Sequence, residues 1–182
     1  MQDQSDKELL KLFRISSSRN YAFDMIVRKY QERLYWHVRK IILNHEDTDD
    51  ILQNTFIKIW NGLDNFREDS HLFTWLYKIA TNEALNFLKS KKRRYFLPFS
   101  DYEHSAGREL ESDPYFNGDE LQMKLQKAIV TLPEKQRLVF NMKYFDEMKY
   151  DDMSKILDTS VGSLKASYHH AVKKIEKYLN EN

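Results

Sequence analysis

Residues 149–179 read KYDDMSKILDTSVGSLKASYHHAVKKIEKYL, and the spacing of their apolar positions sets the fold class. Over 149–157, Met153, Ile156 and Leu157 fall on one side of a short helix. From Ser160 to about Leu179, Val161, Leu164, Tyr168, Ala171, Ile175 and Leu179 recur in steps of three and four, a second and longer helix. Only Asp158, Thr159 and Ser160 connect them. A short helix, a tight turn and a longer helix form a helix-turn-helix.

The same period continues outward. Leu121, Leu125, Ile129 and Val130 predict a helix from near Asp119. Thr131-Leu-Pro-Glu134 reads as a capping box that opens the next helix, with Pro133 at an early helical position and Leu138, Val139 and Met142 inward. Nearer the N-terminus, Phe23, Ile26, Val27, Tyr30, Leu34, Val38, Ile41 and Ile42 predict a helix from Tyr21 to about Asn44. Another runs from near Asp47 to Trp60, with Ile51, Leu52, Thr55, Phe56 and Ile59 inward. Asp47, Asp49 and Asp50 lie in its first turn, where the macrodipole favours carboxylates. A further helix runs from an N-cap at Ser70 to about Lys89, and a shorter one covers Lys7–Phe13.

Composition agrees. The 182 residues include four glycines and three prolines, where average usage gives about twenty such residues. A sandwich or barrel needs turn residues every few positions, and this chain cannot supply them. Gly62, Gly107, Gly118 and Gly162 stand too far apart to cradle a phosphate. With no cysteine, disulfides, thiol nucleophiles and cysteine-ligated metal centres are excluded. Aliphatic runs such as Ile41-Ile42-Leu43 are far shorter than a membrane span, and the N-terminus shows no apolar signal segment. A cytoplasmic protein without direct membrane insertion is expected.

Formal charge divides unevenly. Residues 1–97 carry 17 basic and 13 acidic side chains, net +4; residues 98–120 carry 1 and 7, net −6; residues 121–182 carry 11 and 8, net +3. The net charge of +1 is therefore a cancellation. Helical period is lost from Phe96 to Gly118, which holds Pro98, Gly107, Pro114 and Gly118. The expected organisation is all-α: a helical domain over 1–95, a flexible acidic linker over 96–118 with transient order around Pro114–Phe116, and a helix-turn-helix domain over 119–182.

Three surfaces stand out. The polar face of the last helix offers Ser163, Lys165, Ala166, Ser167, His169, His170, Lys173 and Lys174, which suits a helix entering the major groove but equally suits any solvated helix face. Adjacent His169 and His170 point about 100° apart, so they do not form a metal pair. In the segment 70–94, Lys78, Asn82, Asn86 and Lys89 share a face. Phe73, Trp75 and Tyr77 lie beside it, and Lys89, Lys91, Lys92, Arg93 and Arg94 follow. Leu72, Leu76 and Ile79 already supply an inward stripe, so these aromatics are expected partly outside, where bases can stack while cations follow the backbone. The third surface, Asp47, Asp50, Gln53 and Asn54, is either a solvated face or an acidic docking surface. No accompanying base or pocket marks it as catalytic.

Several segments resemble one family. Residues 47–60, DTDDILQNTFIKIW, resemble the D-A-E-D-L-V-Q-E-T-F-L-R-x-W core-polymerase-binding helix of the extracytoplasmic-function sigma factors. Phe66-Arg67 and then residues 73–82, FTWLYKIATN, resemble their promoter-melting segment. Residues 132–140, LPEKQRLVF, resemble the opening of the second DNA-binding domain, and residues 160–165, SVGSLK, the start of its recognition helix. The matches keep the family's order over about residues 20–95 and 120–180.

The resemblance implies a non-catalytic initiation factor without cofactor or metal, whose partners are core RNA polymerase (clamp coiled coil and flap regions), promoter DNA and an anti-sigma factor that can hold it near the membrane. It implies polymerase contact by Asp47, Asp50, Gln53 and Asn54. It implies −10 contact by Phe66, Arg67, Ser70, Trp75, Lys78, Asn82 and Lys89, and −35 contact by Ser163, Lys165, Ala166, Ser167, His169, His170 and Lys173. The chain departs from the family pattern at Asn54 (usually Glu), Asp158 (usually Gly), Ser167 and Val172 (commonly Arg) and Lys149 (commonly Ser). Asp158 is accordingly expected in a left-handed conformation, which Asp tolerates better than most residues. Two other readings are a stand-alone helix-turn-helix regulator and a helical metal-dependent hydrolase using His37, His45, Asp47, Asp49 and Asp50.

Overall fold

The computed structural model describes residues 4–95 and 120–181. The expected linker and its transient order around Pro114–Phe116 lie outside the described residues. Eight α-helices follow in order: α1 Asp6–Phe13, α2 Arg19–Ile42, α3 His45–Gly62, α4 Leu72–Tyr95, α5 Glu120–Val130, α6 Glu134–Tyr144, α7 Tyr150–Leu157 and α8 Val161–Glu181. Short 3-10 turns cover Ser16–Ser18 and Leu63–Asn65.

Local chemistry sets most of the boundaries. Ser5 and Glu8 form a reciprocal capping box that starts α1. Leu43 at φ 63° ends α2, and the Asn44 side chain then accepts from the Asp47 amide at 2.9 Å to start α3. Asp158 adopts the expected left-handed conformation, φ 48° and ψ 45°, between α7 and α8.

Other boundaries differ from expectation. Helix α4 starts at Leu72, where the His71 carbonyl accepts from the Trp75 amide at 3.2 Å; Ser70 lies in a bend before it and is not the cap. It also runs on to Tyr95, because the Lys and Arg residues after Phe87 form helix well and their charges favour a helix C-terminus. The capping box at Thr131 does not form. The Thr131 hydroxyl instead donates to the Ala128 carbonyl at 2.7 Å, closing the end of α5, and Pro133 precedes α6 without a side-chain cap. Leu121, expected inward, is 67% exposed, and Glu120 and Gln122 beside it in the first turn of α5 are exposed too.

The core explains the relation of the two halves. Leu9, Phe13, Ile26, Leu34, Ile59, Leu76 and Leu88 fill the space between α1, α2, α3 and α4. The same buried cluster continues into the C-terminal half through Leu138, Met142, Met153, Ile156 and Leu164. A smaller, separate cluster of Ala128, Ile129, Leu132, Phe140, Ala171 and Ile175 joins α5, α6 and α8. Helix α7 therefore lies on α4, and α6 reaches α2. The halves share one core.

Polar contacts seal that junction. Asp146, just after α6, accepts from Lys40 and pairs at 3.0 Å with His37 Nδ1, while His37 Nε2 meets the Thr81 hydroxyl at 2.8 Å. His37 is 1% exposed. Burial pushes the Asp146 carboxyl up, but the hydrogen bond and charge of His37, together with Lys40, outweigh it and hold the group below its ordinary value. The Asn141 amide donates to the Lys40 carbonyl at 3.4 Å beside it.

Candidate nucleic-acid interface

The loop before α4 and the exposed row of α4 form the first candidate surface. Phe66 is buried at the end of the second 3-10 turn, its ring centroid 5.1 Å from that of Trp75. Arg67 is exposed. Glu68 takes φ 61° and receives the Arg14 guanidinium at 2.8 Å, which pins the loop to the end of α1. Ser70 and Phe66 line a cavity of about 360 Å³ with Leu10, His71, Leu72 and, from α7, Lys155. Trp75 is half-buried and lies across Gly62.

The aromatic surplus expected on this surface is smaller than its sequence suggested. Tyr77 is 1% exposed, its hydroxyl donating to the Arg33 carbonyl at 3.4 Å, and burial raises its phenol well above the ordinary value. Phe73 packs 4.3 Å from the Tyr77 ring and under the Arg33 guanidinium at 4.8 Å. The reason is that α4 is covered by α2, α3 and α7 at once, so more than one face is inward. What remains outward is Asn82, Asn86 and Lys89, with Lys78 half-buried.

Gly62 fixes the Trp75 position. A β-carbon there would stand 3.0 Å and 3.2 Å from two indole atoms, closer than ordinary contacts. Gly62→Ala is therefore expected to displace the indole and cost about 1–3 kcal/mol. Thermal unfolding with tryptophan fluorescence checks this: the variant should melt earlier with a shifted emission, and an unchanged Tm and spectrum would show that the ring yields freely.

Helix α3 presents the second surface. Asp50, Gln53 and Asn54 are exposed, and Ile57, 59% exposed, continues their row. Asp47 does not join them. It is half-buried, and Lys91 of α4 donates to its carboxylate at 2.6 Å, so this residue ties two helices together. Ile57 lies off the inward stripe of α3, and its spacing of three residues from Asn54 and four from Gln53 is the sequence signal that puts it on their row.

The third surface is α8. Ser160 caps it, accepting the Ser163 amide at 3.3 Å, whereas Lys149 leaves α7 without a side-chain cap. Ser163, Lys165, Ala166, His169, His170 and Lys173 are exposed and Ser167 is half-buried. The Lys165 ammonium stands 5.8 Å from the Tyr150 ring of α7. Among the described residues no three His, Asp or Glu side chains gather as metal ligands, and His37 is committed to Asp146 and Thr81.

Both halves of the chain match known protein families. Residues 26–94 match the model of Sigma-70 region 2, and residues 122–175 match that of Sigma-70, region 4. The chain is 29% identical to the RNA polymerase sigma-H factor of Pseudomonas aeruginosa over 97% of this chain and 94% of that one. It is 30% identical to the ECF RNA polymerase sigma-E factor of Salmonella typhimurium, covering 90% and 89%. The chain belongs to the ECF sigma factors of the sigma-70 family. It is a non-catalytic factor that directs RNA polymerase to promoters and to transcription initiation.

Solved structures agree on the fold. CnrH in complex with the cytosolic domain of CnrY superposes with a TM-score of 0.69 at 19% identity, covering 98% of this chain and 99% of that one. The sigma factor RpoE in complex with the anti-sigma factor NepR from Bartonella quintana gives 0.66 at 21% identity, covering 87% and 96%. In this ECF sigma factor, region 2 comprises most of α2 with α3 and α4, and region 4 most of α5 with α6, α7 and much of α8. No helix among the described residues is long and apolar enough to cross a membrane.

Proposed function

We propose that the three surfaces divide the work of initiation. The exposed row Asp50, Gln53, Asn54 and Ile57 docks on the clamp coiled coil of core polymerase, with Asp47 supporting the row through Lys91 rather than touching the partner. Arg67, Ser70, Trp75, Lys78, Asn82 and Lys89 take the opened −10 strand, with the buried Phe66 supporting Trp75 from beneath rather than touching the strand. Ser163, Lys165, Ala166, Ser167, His169, His170 and Lys173 meet the −35 duplex, with the flap holding the C-terminal half in place. Residues 1–95 and 119–182 act as the two reading units, joined by residues 96–118.

Chemistry separates the last two roles. Opening duplex DNA costs a few kcal/mol, which a stacking side chain and nearby cations can offset. A capped helix with Ser and Lys at its start can read a closed major groove without that cost. The observation that carries the division is the α3 row, which is exposed although it belongs to the same helix that builds the core. An anti-sigma factor is proposed as a further partner, since the sigma factor RpoE of similar fold is solved in complex with the anti-sigma factor NepR, and the cytoplasm as the site of action.

The double variant Asp50→Lys/Asn54→Lys tests the docking assignment. Its affinity for core polymerase is expected to fall about tenfold or more, since a reversed charge meets its partner with the wrong sign. Circular dichroism should be unchanged, because both side chains are exposed. Unaltered affinity would remove the α3 row from the interface.

A further inference from the structure

The loop that carries Arg67 and Ser70 is held by residues that precede region 2. It begins at the 3-10 turn Leu63–Asn65, where the Phe66 amide donates to the Leu63 carbonyl at 3.2 Å, and ends where the His71 carbonyl accepts from Trp75. Between these points, among the described residues, no backbone hydrogen bond fixes residues 67–70. Packing constrains them little. Arg67, Glu68 and Asp69 are exposed, and the loop lines the cavity of about 360 Å³ together with Asp6, Lys7 and Leu10 of α1. Yet Glu68 sits in the left-handed region, φ 61°, which a residue with a β-carbon adopts only when its surroundings hold it there.

Two arginines supply that hold. Arg14, which ends α1, donates to the Glu68 carboxylate at 2.8 Å across 54 positions. Arg19, at the start of α2, donates through both terminal nitrogens to the two Asp64 carboxylate oxygens at 2.9 and 2.5 Å. Its guanidinium also lies 4.2 Å from the Phe13 ring centroid and 5.0 Å from that of Trp60. A bidentate pair stacked on two rings has one geometry, so Arg19 fixes the 3-10 turn. Helix α1 is itself anchored: Leu9 and Phe13 are buried, and the Tyr30 hydroxyl donates to the Asp6 carboxylate at 2.7 Å. Arg14 thus reaches from a firm base to the middle of the loop. Both arginines lie ahead of residue 26, where the match to region 2 begins.

We propose that Arg14 is a positioning residue for −10 reading: it holds Glu68 in the left-handed conformation and so sets the angle at which Arg67 and Ser70 meet the opened strand. This rests on the −10 assignment above. A change of φ at one residue turns the chain on either side of it, so Arg67 and Ser70 reorient when Glu68 relaxes to negative φ. Because Arg19 and Asp64 fix the start of the loop, the freedom that Arg14 removes is confined to a few residues. An ion pair whose side chains are 49% and 39% exposed adds little to the stability of the whole chain. It has only to outweigh another arrangement of this loop.

The test uses the full chain carrying Arg14→Glu, Glu68→Arg or the exchanged pair Arg14→Glu/Glu68→Arg, at two exposed positions outside the core. Loop order is read without polymerase or DNA, from the fluorescence anisotropy of a dye on Asp69→Cys, an exposed position in a chain with no native cysteine. Promoter reading is measured by transcription with core polymerase from duplex templates randomised in the −10 or the −35 segment. Base preference is scored as a ratio among templates, so a general gain in DNA affinity from the added arginine cancels.

Each single reversal is expected to lower the anisotropy and to reduce discrimination among −10 bases about threefold, the scale of an exposed ion pair. The exchanged pair should restore both. The −35 preference should stay as in the parent and the thermal midpoint within about 2 °C of it, whereas a merely structural role would move these as well. Unchanged anisotropy, or a loss that the exchanged pair does not reverse, would show that the pair does not hold the loop. Lowered anisotropy with unchanged −10 preference would show that the loop angle does not set the reading. Either result overturns the proposal. Arg67→Ala, run alongside, separates that failure from failure of the −10 assignment: if it too leaves the −10 preference unchanged, the assignment of this loop falls, and if it alters the preference, only the role of Arg14 does. Should Arg14→Glu lower the thermal midpoint further, Arg14→Gln removes the pair without reversing the charge and is read in the same two assays with the same outcomes.

Discussion

Trp75→Ala is expected to lower transcription from a closed duplex promoter by about tenfold or more, the scale set by one lost base-stacking platform of about 1–3 kcal/mol. On a template whose −10 segment is already mismatched and open, the loss should stay within about threefold, because strand separation no longer has to be driven. The indole is half-buried against Phe66 and Gly62, so part of any effect comes through the loop it supports. Trp75→Phe separates these contributions, as it keeps a stacking face and most of the packing. That variant should retain most of the activity on duplex. Equal losses on duplex and open templates would reject a role in opening, and parallel measurements of core-polymerase affinity should show no change.

Lys165→Ala carries the second large effect. Lys165 lies in the second turn of a helix capped by Ser160, exposed, with its ammonium 5.8 Å from the Tyr150 ring. A base contact at that place is worth about 1–3 kcal/mol, or roughly 5- to 150-fold in discrimination at one upstream position. The variant is expected to lose preference at that position while retaining the rest. If Lys165 met only phosphate, affinity would fall uniformly across sequences and the salt dependence would lessen by about one unit. Unchanged preference with unchanged affinity would take Lys165 out of the upstream contact. The chain lacks the arginines common at Ser167 and Val172, so it has few cations with which to compensate.

These residues were legible because each helix writes its own inward stripe. Leu164, Ala171 and Ile175 mark the buried side of α8, and the polar positions between them are exposed as the period requires. Asp158 showed its left-handed turn by standing where glycine is usual. Periodicity does not say which second element will cover the reverse face. Tyr77 looked surplus beside Leu72, Leu76 and Ile79, yet it is buried because α2 closes over it. Asp47 looked like part of an acidic row, yet Lys91, 44 positions away, claims it.

The junction between the halves was the least legible part. His37 and Asp146 meet across 109 positions, and Thr74 and Asp152 across 78. No local pattern encodes such pairs, since a polar side chain at a boundary looks like any solvated one until its partner arrives. Thr131 shows the same ambiguity over a few residues: its hydroxyl could cap forward or backward, and it closes α5. Capping rules name the residues that can satisfy a helix end but not which end they will serve.

On the proposed division of surfaces, this chain gives core bacterial RNA polymerase a two-part promoter preference. Transcription in vitro with purified core polymerase, the full chain and a pool of templates randomised upstream of the start site measures it directly. Sequencing the transcribed templates should reveal two enriched elements. Substitution of Lys165 should alter only the upstream one, and Trp75→Ala should reduce yield from every duplex template. Yield no greater than with core polymerase alone, or enrichment of no sequence element, would rule out two-part promoter reading by this chain.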